Sequence, residues 1–265
     1  MSEDLSKYAR KLEDTVALVT GSTYGMPFEI AAQLAEAGVP KLMLNSRNAK
    51  NCEAARDKIL KRAPKCDIRF IVADCTVPAE AERLVRETIA AFGRLDVLVN
   101  SVAAIFKLTP FHEMPTSVYQ HLVNGHFLSM LHTCHVAVPQ MMKQKNGVII
   151  NIASDAAKVA TPGETVNGGL LAAKLLFSRA LALEVGRSGI RVHCLTPSLV
   201  RETHRYEHVL ADEFAKRLFE KVMKKARLGL PAAKDVAPVA VFLCRPEAYY
   251  ITGQGISING GITAA

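Results

Sequence analysis

Short apolar runs and amphipathic helical patterns alternate along this chain from one end to the other. The first run, TVALVTG, is rich in β-branched residues and ends in glycine, and FEIAAQLAEAG, which follows it, has helical periodicity. The same alternation continues to GQGISINGG near the C-terminus. Since parallel strands need long crossover connections, usually helices, this order predicts an α/β fold. We expect a single domain over residues 1–265, a doubly wound parallel sheet of about seven strands with helices on both faces.

The chain has 265 residues and a formal net charge of +8. That length is sufficient for one well-buried α/β domain. Its basic residues alternate with acids along amphipathic segments such as KNCEAARDKILKRAPK, as on solvated helix faces. No basic stripe interleaved with aromatic residues indicates nucleic acid, so we expect no nucleic-acid partner. The positive charge favours an anionic small-molecule ligand.

The N-terminal segment MSEDLSKYARKLED is charged and has no apolar centre, which excludes a signal peptide. No apolar run in the sequence approaches the roughly 18–20 residues of a membrane span, so no membrane partner is expected. The six cysteines show neither a CxxC pair nor regular spacing, which indicates reduced thiols. The histidines do not have metal-ligand spacing, so no metal is expected. We therefore expect a cytoplasmic protein.

A glycine-rich turn follows the first strand and opens the first helix, at TGSTYGMP (residues 20–27). A turn in this position can hold a dinucleotide pyrophosphate on backbone N–H groups and the helix dipole. Pro27 is compatible with a first helical turn but removes one N–H. The predicted phosphate-binding residues are Gly21, Ser22, Thr23, Gly25 and Met26.

Polar residues follow the next three strands and complete the predicted cofactor site. The second strand ends at Ser46 and Arg47, without the acid that commonly binds an NAD ribose. A guanidinium can form a forked contact with a 2′-phosphate, so Arg47 favours NADP(H). Asp74 and Cys75 follow the third strand, and Asn100 ends the fourth.

The segment NIASDAAKVATPGETVNGGLLAAKLLFSRALALEVG (residues 151–186) resembles the active-site strand and helix of the short-chain dehydrogenase/reductase family. In that family a serine is followed by a tyrosine and then a lysine, and here the three positions hold Ser154, Asn167 and Leu171. The resemblance extends from KLEDTVALVTG to INGG. It implies a Rossmann-type sheet, an NADP(H)-binding groove and a homotetramer or homodimer built on two long helices. The family's glycines in that groove are replaced by Pro27, Ala103 and Ser198.

The resemblance also implies how the active site differs from that of relatives. The family's tyrosine transfers the proton of the substrate oxygen, and its lysine lowers the tyrosine pKa and holds the nicotinamide ribose. The amide of Asn167 cannot titrate, so it cannot act as an acid or a base. Asn124, Ser154 and Asn167 are the predicted catalytic residues. Together they form a neutral hydrogen-bonding cradle for a carbonyl or enolate oxygen. Lys174, one turn beyond Leu171, is expected on a packing face of the helix.

Three further residues are candidates for contacts with the substrate. Lys158 and Glu164 lie in the loop between Ser154 and Asn167. Glu164 is the strongest candidate for a catalytic base in place of the family's tyrosine. Arg201 begins a variable lid at about residues 198–228, which can receive a carboxylate or a coenzyme A phosphate. His126 and His121 are interpreted as packed or exposed helix residues.

Three functions are compatible with these residues. The first is an atypical NADP(H)-dependent reductase of an enoyl or carbonyl substrate, such as a thioester, that works without the tyrosine and lysine. The second is a non-redox enzyme, a lyase, dehydratase, isomerase or dehalogenase, in which Asn124, Ser154 and Asn167 stabilise an oxyanion or enolate. The third is an inactive binding subunit. Arg47 and Asp74 favour the first, whereas Leu171 counts against it.

Overall fold

The computed structural model describes residues 9–265, so the first part of the charged N-terminal segment lies outside the described residues. Strands and helices alternate within this range, as expected. The strands are β1 (Val16–Val19), β2 (Lys41–Ser46), β3 (Asp67–Val72), β4 (Val97–Asn100), β5 (Gly147–Ile152), β6 (Ile190–Pro197) and β7 (Gly255–Ile258). The helices are α1 (Gly25–Glu36), α2 (Ala49–Arg62), α3 (Pro78–Phe92), α4 (Tyr119–Val123), α5 (Ser129–Gln144), α6 (Thr165–Val185), α7 (His204–Ala211), α8 (Glu213–Met223) and α9 (Ala233–Cys244).

The seven strands form one sheet in the order β3-β2-β1-β4-β5-β6-β7, and every pairing is parallel. Helices cover both faces: α1, α2 and α9 contribute to the core on one face, and α3, α5 and α6 to the core on the other. The predicted doubly wound fold is therefore confirmed. The strand order reverses between β1 and β4, and a crevice at the carboxyl ends of the strands is expected beside that point.

The central strands consist almost wholly of buried apolar residues. Every residue of β1, β4, β5 and β6 is buried, which is typical of parallel strands covered on both faces. Polar residues occur where these strands end, for example Asn100 and Asn151. Asn100 Nδ2 donates to Asn151 Oδ1 at 2.9 Å, Asn100 Oδ1 accepts from Thr133, and Asn151 Nδ2 donates to Ser178, so both amides are hydrogen-bonded beneath the crevice.

Two helices follow β6 within the predicted lid. Thr203 caps α7 by accepting from the N–H of Tyr206, and Asp212 caps α8 by accepting from the N–H of Ala215. The lid has a small apolar core of its own, formed by buried residues of the lid and of the loop after β4: Leu108, Leu199, Val209, Ala215 and Phe219. This packing places the lid over the carboxyl ends of the strands.

Helix α6 is the most apolar long helix that the structure describes. The stretch of residues 165–188 is long and apolar enough to cross a bilayer by length and composition alone, a finding that the sequence interpretation did not anticipate. In this fold one side of α6 packs on the sheet through Leu181, Ala182 and Val185. A core helix passes the same test of length and composition, and this one carries Asn167.

Candidate active site

A cavity of about 480 Å³ lies at the carboxyl ends of the strands, beneath the lid. It runs from the glycine-rich turn to the end of β5, as the position of the strand reversal predicts. Its wall includes residues that end or follow six different strands: Gly21, Ser46, Asp74, Ser101, Ser154 and Pro197. The cavity therefore joins the predicted nucleotide end to the predicted catalytic end.

The glycine-rich turn presents the start of α1 to this cavity. Tyr24 precedes the helix without a side-chain hydrogen bond to it, so no side chain caps the first N–H groups, those of Gly25 and Met26. Gly25 has φ of +62°, and a Cβ there would lie 3.3 Å from the lid residue Thr203. An uncapped helix N-terminus with close backbone approach suits a phosphate group.

Most of the predicted cofactor residues line the cavity. Those in its wall are Gly21, Gly25, Met26, Ser46, Arg47, Asp74 and Cys75. Ser22 lies instead beneath the turn, where its Oγ accepts from the N–H of Asn45 at 3.0 Å. Thr23 lies in the turn outside the cavity wall, and Asn100 is buried below it. These three residues support the groove from behind.

Arg47 and Asp74 lie together at the far end of the cavity. Arg47 Nη1 is 3.7 Å from Asp74 Oδ2, and the arginine side chain is 76% exposed. Burial alone would raise the pKa of Asp74, but hydrogen bonds from Thr76 and the charge of Arg47 hold it below its usual value. The carboxylate is thus ionised, and the arginine can move without losing a buried contact.

Ser154 and Asn167 meet at the other end of the cavity. Ser154 lies two residues after β5 and caps a short 3-10 turn, accepting from the N–H of Ala156 at 3.4 Å. Asn167 lies in the first turn of α6 and is 4% exposed. Its Oδ1 is buried and has no hydrogen-bonding partner within residues 9–265. Leu171, which is also buried, completes this wall.

The structure places Asn124 away from the cavity, contrary to the predicted cradle. Residues 124–128 form a π-helical turn between α4 and α5, and the Oδ1 of Asn124 accepts from Gln120 Nε2 at 2.6 Å. A π-helical turn has more residues than an α-helical one, so it shifts which side chains face inward. Here His126 lines the cavity, and Asn124 is not part of its wall.

His126 is buried among groups that disfavour its protonation. It is 5% exposed, and its ring meets the Phe106 ring edge to face at 6.1 Å. Neither ring nitrogen forms a hydrogen bond of good geometry in the described part of the chain, although the nearby backbone of Ala104 has a small effect that raises the pKa of the ring. Burial, followed by the charges of Lys174 and Arg205, lowers the pKa of His126 to about 3. The imidazole is therefore neutral at physiological pH.

Lys174 lies on the buried face of α6, as expected, and is 1% exposed. Its Nζ donates to the carbonyl of Ile152 at 3.0 Å, two residues before Ser154. Burial lowers the pKa of Lys174 to about 8. Lys174 is not part of the cavity wall, so it does not occupy the ribose-binding position that Leu171 leaves apolar.

Glu164 and Arg205 connect the active-site loop to the lid. Arg205 Nη2 donates to Glu164 Oε1 at 2.5 Å, and its guanidinium lies 4.5 Å from the centre of the Phe106 ring. Burial raises the pKa of Glu164, although Arg205 opposes that shift. Both residues, with Ser154 and Ser198, also line a second cavity of about 290 Å³ behind the lid. The pair thus stands between two cavities.

Lys158 and Arg201, the other two candidates for substrate contacts, lie outside both cavities. Lys158 Nζ donates to the carbonyls of Gly255 and Ala265 and to Ser257 Oγ, each at 2.9 Å. The exposed Arg201 donates to the carbonyl of Leu230 at 3.2 Å. The predicted substrate role for these two side chains therefore has no support from their positions.

Two further features of the described residues bear on the chemistry. No cluster of three or more His, Cys, Asp or Glu residues in this part of the chain could hold a metal ion. All six cysteines are buried and unpaired with one another. Burial raises the pKa of several of these thiols, for example that of Cys134 to about 12. They are unreactive, structural thiols.

Comparison with known proteins supports the same family over nearly the whole chain. A family model described as Enoyl-(Acyl carrier protein) reductase matches residues 21–263. The 3-oxoacyl-[acyl-carrier-protein] reductase FabG of Staphylococcus aureus is 30% identical over 93% of this chain and 97% of its own length. The corresponding protein of Chlamydia muridarum is 30% identical over 95% and 98%.

Solved structures of other proteins share the fold of this chain. A protein of Sinorhizobium meliloti described as a short-chain alcohol dehydrogenase is 25% identical, with a TM-score of 0.85 over 96% of this chain and 98% of its own. Levodione reductase, 24% identical, shares the fold with a TM-score of 0.88 over 94% and 97%. The chain therefore belongs to the short-chain dehydrogenase/reductase family of oxidoreductases.

Proposed function

We propose that this protein is an NADP(H)-dependent reductase of an enoyl or carbonyl substrate that holds the substrate oxygen with neutral groups. The observation that carries the proposal is the continuity of one cavity from Gly25 and Arg47 to Ser154 and Asn167. A dinucleotide lying along this cavity would bring its reactive ring to the end of β5. The relatives described above are named as reductases of acyl-carrier-protein substrates, which supports the same class of reaction.

The residues at the nucleotide end fit an NADP(H) cofactor. The uncapped N–H groups of Gly25 and Met26 would hold the pyrophosphate. Ser46 and the exposed Arg47 would bind the 2′-phosphate, and Asp74 would lie near the adenine. Pro27 removes one N–H donor from the pyrophosphate site, and Leu171 provides no ammonium group to bind the nicotinamide ribose. We therefore expect affinity to depend on Arg47.

The neutral groups at the catalytic end suit reduction of a carbon–carbon double bond conjugated to a carbonyl. When bound, the nicotinamide supplies a hydride to the β-carbon. Ser154 and Asn167 donate hydrogen bonds to the carbonyl oxygen, and these bonds strengthen as negative charge moves onto that oxygen. The α-carbon then takes a proton from water, which completes the saturated product without a proton donor at the oxygen.

Reduction of a carbonyl to an alcohol makes a stronger demand on the site, because the oxygen itself must gain a proton. Among the described residues in this wall, Glu164 is the carboxylic acid at the catalytic end, and it is engaged by Arg205. We therefore place enoyl compounds ahead of carbonyl compounds. The positive net charge of the chain favours an anionic substrate such as a coenzyme A thioester or a carrier-bound thioester.

The surface of α6 favours self-association. Leu176 is 66% exposed and Leu183 is 84% exposed, on the side of the helix that faces away from the sheet. Apolar side chains in this position are typical of a helix buried in an oligomer. We propose that the protein forms a homodimer or homotetramer through its long helices. We also propose that it is cytoplasmic.

Glu164 favours a second candidate, a non-redox lyase or isomerase. A buried carboxylate with a raised pKa can remove a proton next to a carbonyl, while Ser154 and Asn167 stabilise the enolate. This reaction needs no dinucleotide. Cofactor binding therefore distinguishes it from the first candidate.

The test is a calorimetric titration of the purified protein with NADPH and with NADH. We expect tighter binding of NADPH, and we expect Arg47→Ala to weaken it about tenfold while leaving NADH binding unchanged. Arg187→Ala, which removes an exposed arginine far from the cavity, is the control. Turnover of the N-acetylcysteamine thioesters of oct-2-enoic and 3-oxooctanoic acid then separates enoyl from carbonyl reduction. Absence of binding by either dinucleotide at millimolar concentration would eliminate the reductase and leave the non-redox enzyme or the inactive binding subunit.

A further inference from the structure

The π-helical turn at residues 124–128 determines which side chain α4 and α5 present to the active site. Gly125 lies so close to the loop after β4 that a Cβ there would be 2.8 Å from the backbone nitrogen of Ala104. This contact fixes the turn against the cavity wall and directs the next residue, His126, into that wall. The close approach of Gly125 to Ala104 thus positions the backbone directly before His126.

Buried polar atoms without partners are rare in folded proteins, because each costs the full desolvation of the group. The catalytic end of the cavity has three among the described residues: both ring nitrogens of His126 and Oδ1 of Asn167. These atoms lie in two residues of the same cavity wall, beside Ser154. The N–H of the neutral imidazole needs an acceptor such as a carbonyl oxygen, whereas the other ring nitrogen and Oδ1 of Asn167 need donors. The unpartnered N–H therefore points to a ligand with an acceptor oxygen at this wall.

We propose that His126 is a catalytic residue that donates a hydrogen bond from its neutral ring N–H to the carbonyl oxygen of the substrate. With Ser154 and Asn167 it forms three neutral donors around the oxygen on which negative charge develops. The proposal rests on the proposed function in taking the reaction to occur next to a carbonyl group. It assigns to His126 the place that the sequence alone gave to Asn124.

The surroundings of His126 keep it a donor and not an acid. The charged and titratable groups that act on it are Lys174 on α6, Arg205 on the lid and His121 on α4, and all three disfavour a second proton on the ring. The one carboxylate in the catalytic wall, Glu164, is engaged by Arg205. A neutral imidazole stabilises an oxyanion without giving up its proton, as is known for a neutral catalytic histidine in another enzyme. His126 therefore favours the enoyl class of substrates, because their oxygen is still a carbonyl oxygen in the product.

The experiment measures binding of an oxyanion mimic without any cofactor. The absorbance of 4-nitrophenol is titrated with pH in the presence of saturating protein, so that the preference of the site for phenolate over phenol is obtained directly. We expect wild-type protein to prefer phenolate, and His126→Phe to lose about 10- to 100-fold of that preference. His126→Gln, which restores a neutral N–H donor, should recover most of it. His135→Phe, on the exposed side of α5, is the matched control and should leave it unchanged.

Two results would overturn the proposal: no preference for phenolate in the wild-type protein, or the same preference in His126→Phe. If His126→Phe does not fold, the ring nitrogen resonances of His126 in histidine-labelled wild-type protein decide, since a new hydrogen bond to phenolate must shift the N–H resonance. An unchanged resonance at saturating phenolate would contradict the proposal. Because no dinucleotide is present, the outcome is independent of whether the protein binds NADPH.

Discussion

Arg205 of the lid and Glu164 of the active-site loop form a hydrogen-bonded ion pair at 2.5 Å between the two cavities. The glutamate side chain is 7% exposed and the arginine 33%, so the pair is screened by solvent on the lid side only. Breaking a pair of this kind leaves one charge without its partner in a dry environment. The pair therefore couples the position of the lid to the protonation state of the active-site loop.

Replacing Glu164 by glutamine should lower the free energy of unfolding by about 2 kcal/mol, because Arg205 then lies partly buried beside a neutral amide. Urea denaturation followed by circular dichroism measures this. Glu53→Gln, an exposed acid on α2, is the control and should change stability by less than about 0.5 kcal/mol. An equal effect of both substitutions would show that the ion pair contributes nothing.

The same variant separates the two proposed functions. In the reductase, Glu164 takes no part in proton transfer, so Glu164→Gln should retain turnover of the enoyl thioester within about tenfold. In the non-redox enzyme it is the base, and turnover should fall about 10²- to 10⁴-fold. Initial rates at saturating substrate decide between them.

Ser154→Ala tests the oxygen-binding site directly. Loss of one donor to a developing oxyanion is expected to lower kcat about 10²- to 10³-fold, with little change in stability. Ser198→Ala removes a hydroxyl from the same cavity wall and is the control. Unchanged turnover in Ser154→Ala would remove Ser154 from the mechanism.

Lys174 should make stability depend on alkaline pH. The pKa of its ammonium is about 8 in the folded state against 10.5 in the unfolded state, so between these values the unfolded chain binds the extra proton. Stability from this group therefore rises with pH across that window, by about 3 kcal/mol in total. The buried thiols act in the opposite direction, so the measured quantity is the difference between wild type and Lys174→Met. A difference that stays constant from pH 8 to pH 10.5 would contradict the assigned pKa.

His126 and His193 should destabilise the fold in acid. Both are buried with unpartnered ring nitrogens in the described structure, and their pKa values are lowered to about 3 and about 4 from 6.5, chiefly by burial. Below pH 6.5 these histidines bind protons in the unfolded chain but stay neutral in the folded chain. The free energy of unfolding therefore decreases as the pH falls. At pH 5 each histidine accounts for about 2 kcal/mol. Urea denaturation from pH 7 to pH 4.5 should give a shallower fall for His193→Gln, and an identical fall would exclude this origin.

The sequence was sufficient for the fold because strand and helix patterns are local. The run TVALVTG gave β1, and GVIINIAS gave β5, since a buried parallel strand is recognisable from consecutive β-branched and apolar residues. The end of each strand then placed Gly21, Arg47 and Ser154 along one edge. These positions follow from the topology and need no knowledge of side-chain packing.

The sequence was not sufficient where the backbone departs from a regular period. The π-helical turn shifts the inward direction from Asn124 to His126, and no residue type in HLVNGHF marks such a turn. Lys174 could be placed on a buried face by its period, but its bond to the Ile152 carbonyl depends on how α6 docks on β5. The sequence makes Lys158 a plausible substrate residue, but in the structure its ammonium donates to the C-terminal segment.

That C-terminal segment has a consequence for how the active site is made. Asp155, the residue after Ser154, accepts from Thr263 Oγ1 at 2.7 Å, and Lys158 binds the carbonyl of Ala265. The loop that carries Ser154 is therefore anchored by residues 107 and 108 positions further along the chain. Contacts between residues so far apart in sequence form late in folding, so the sheet can assemble before this loop acquires its final shape.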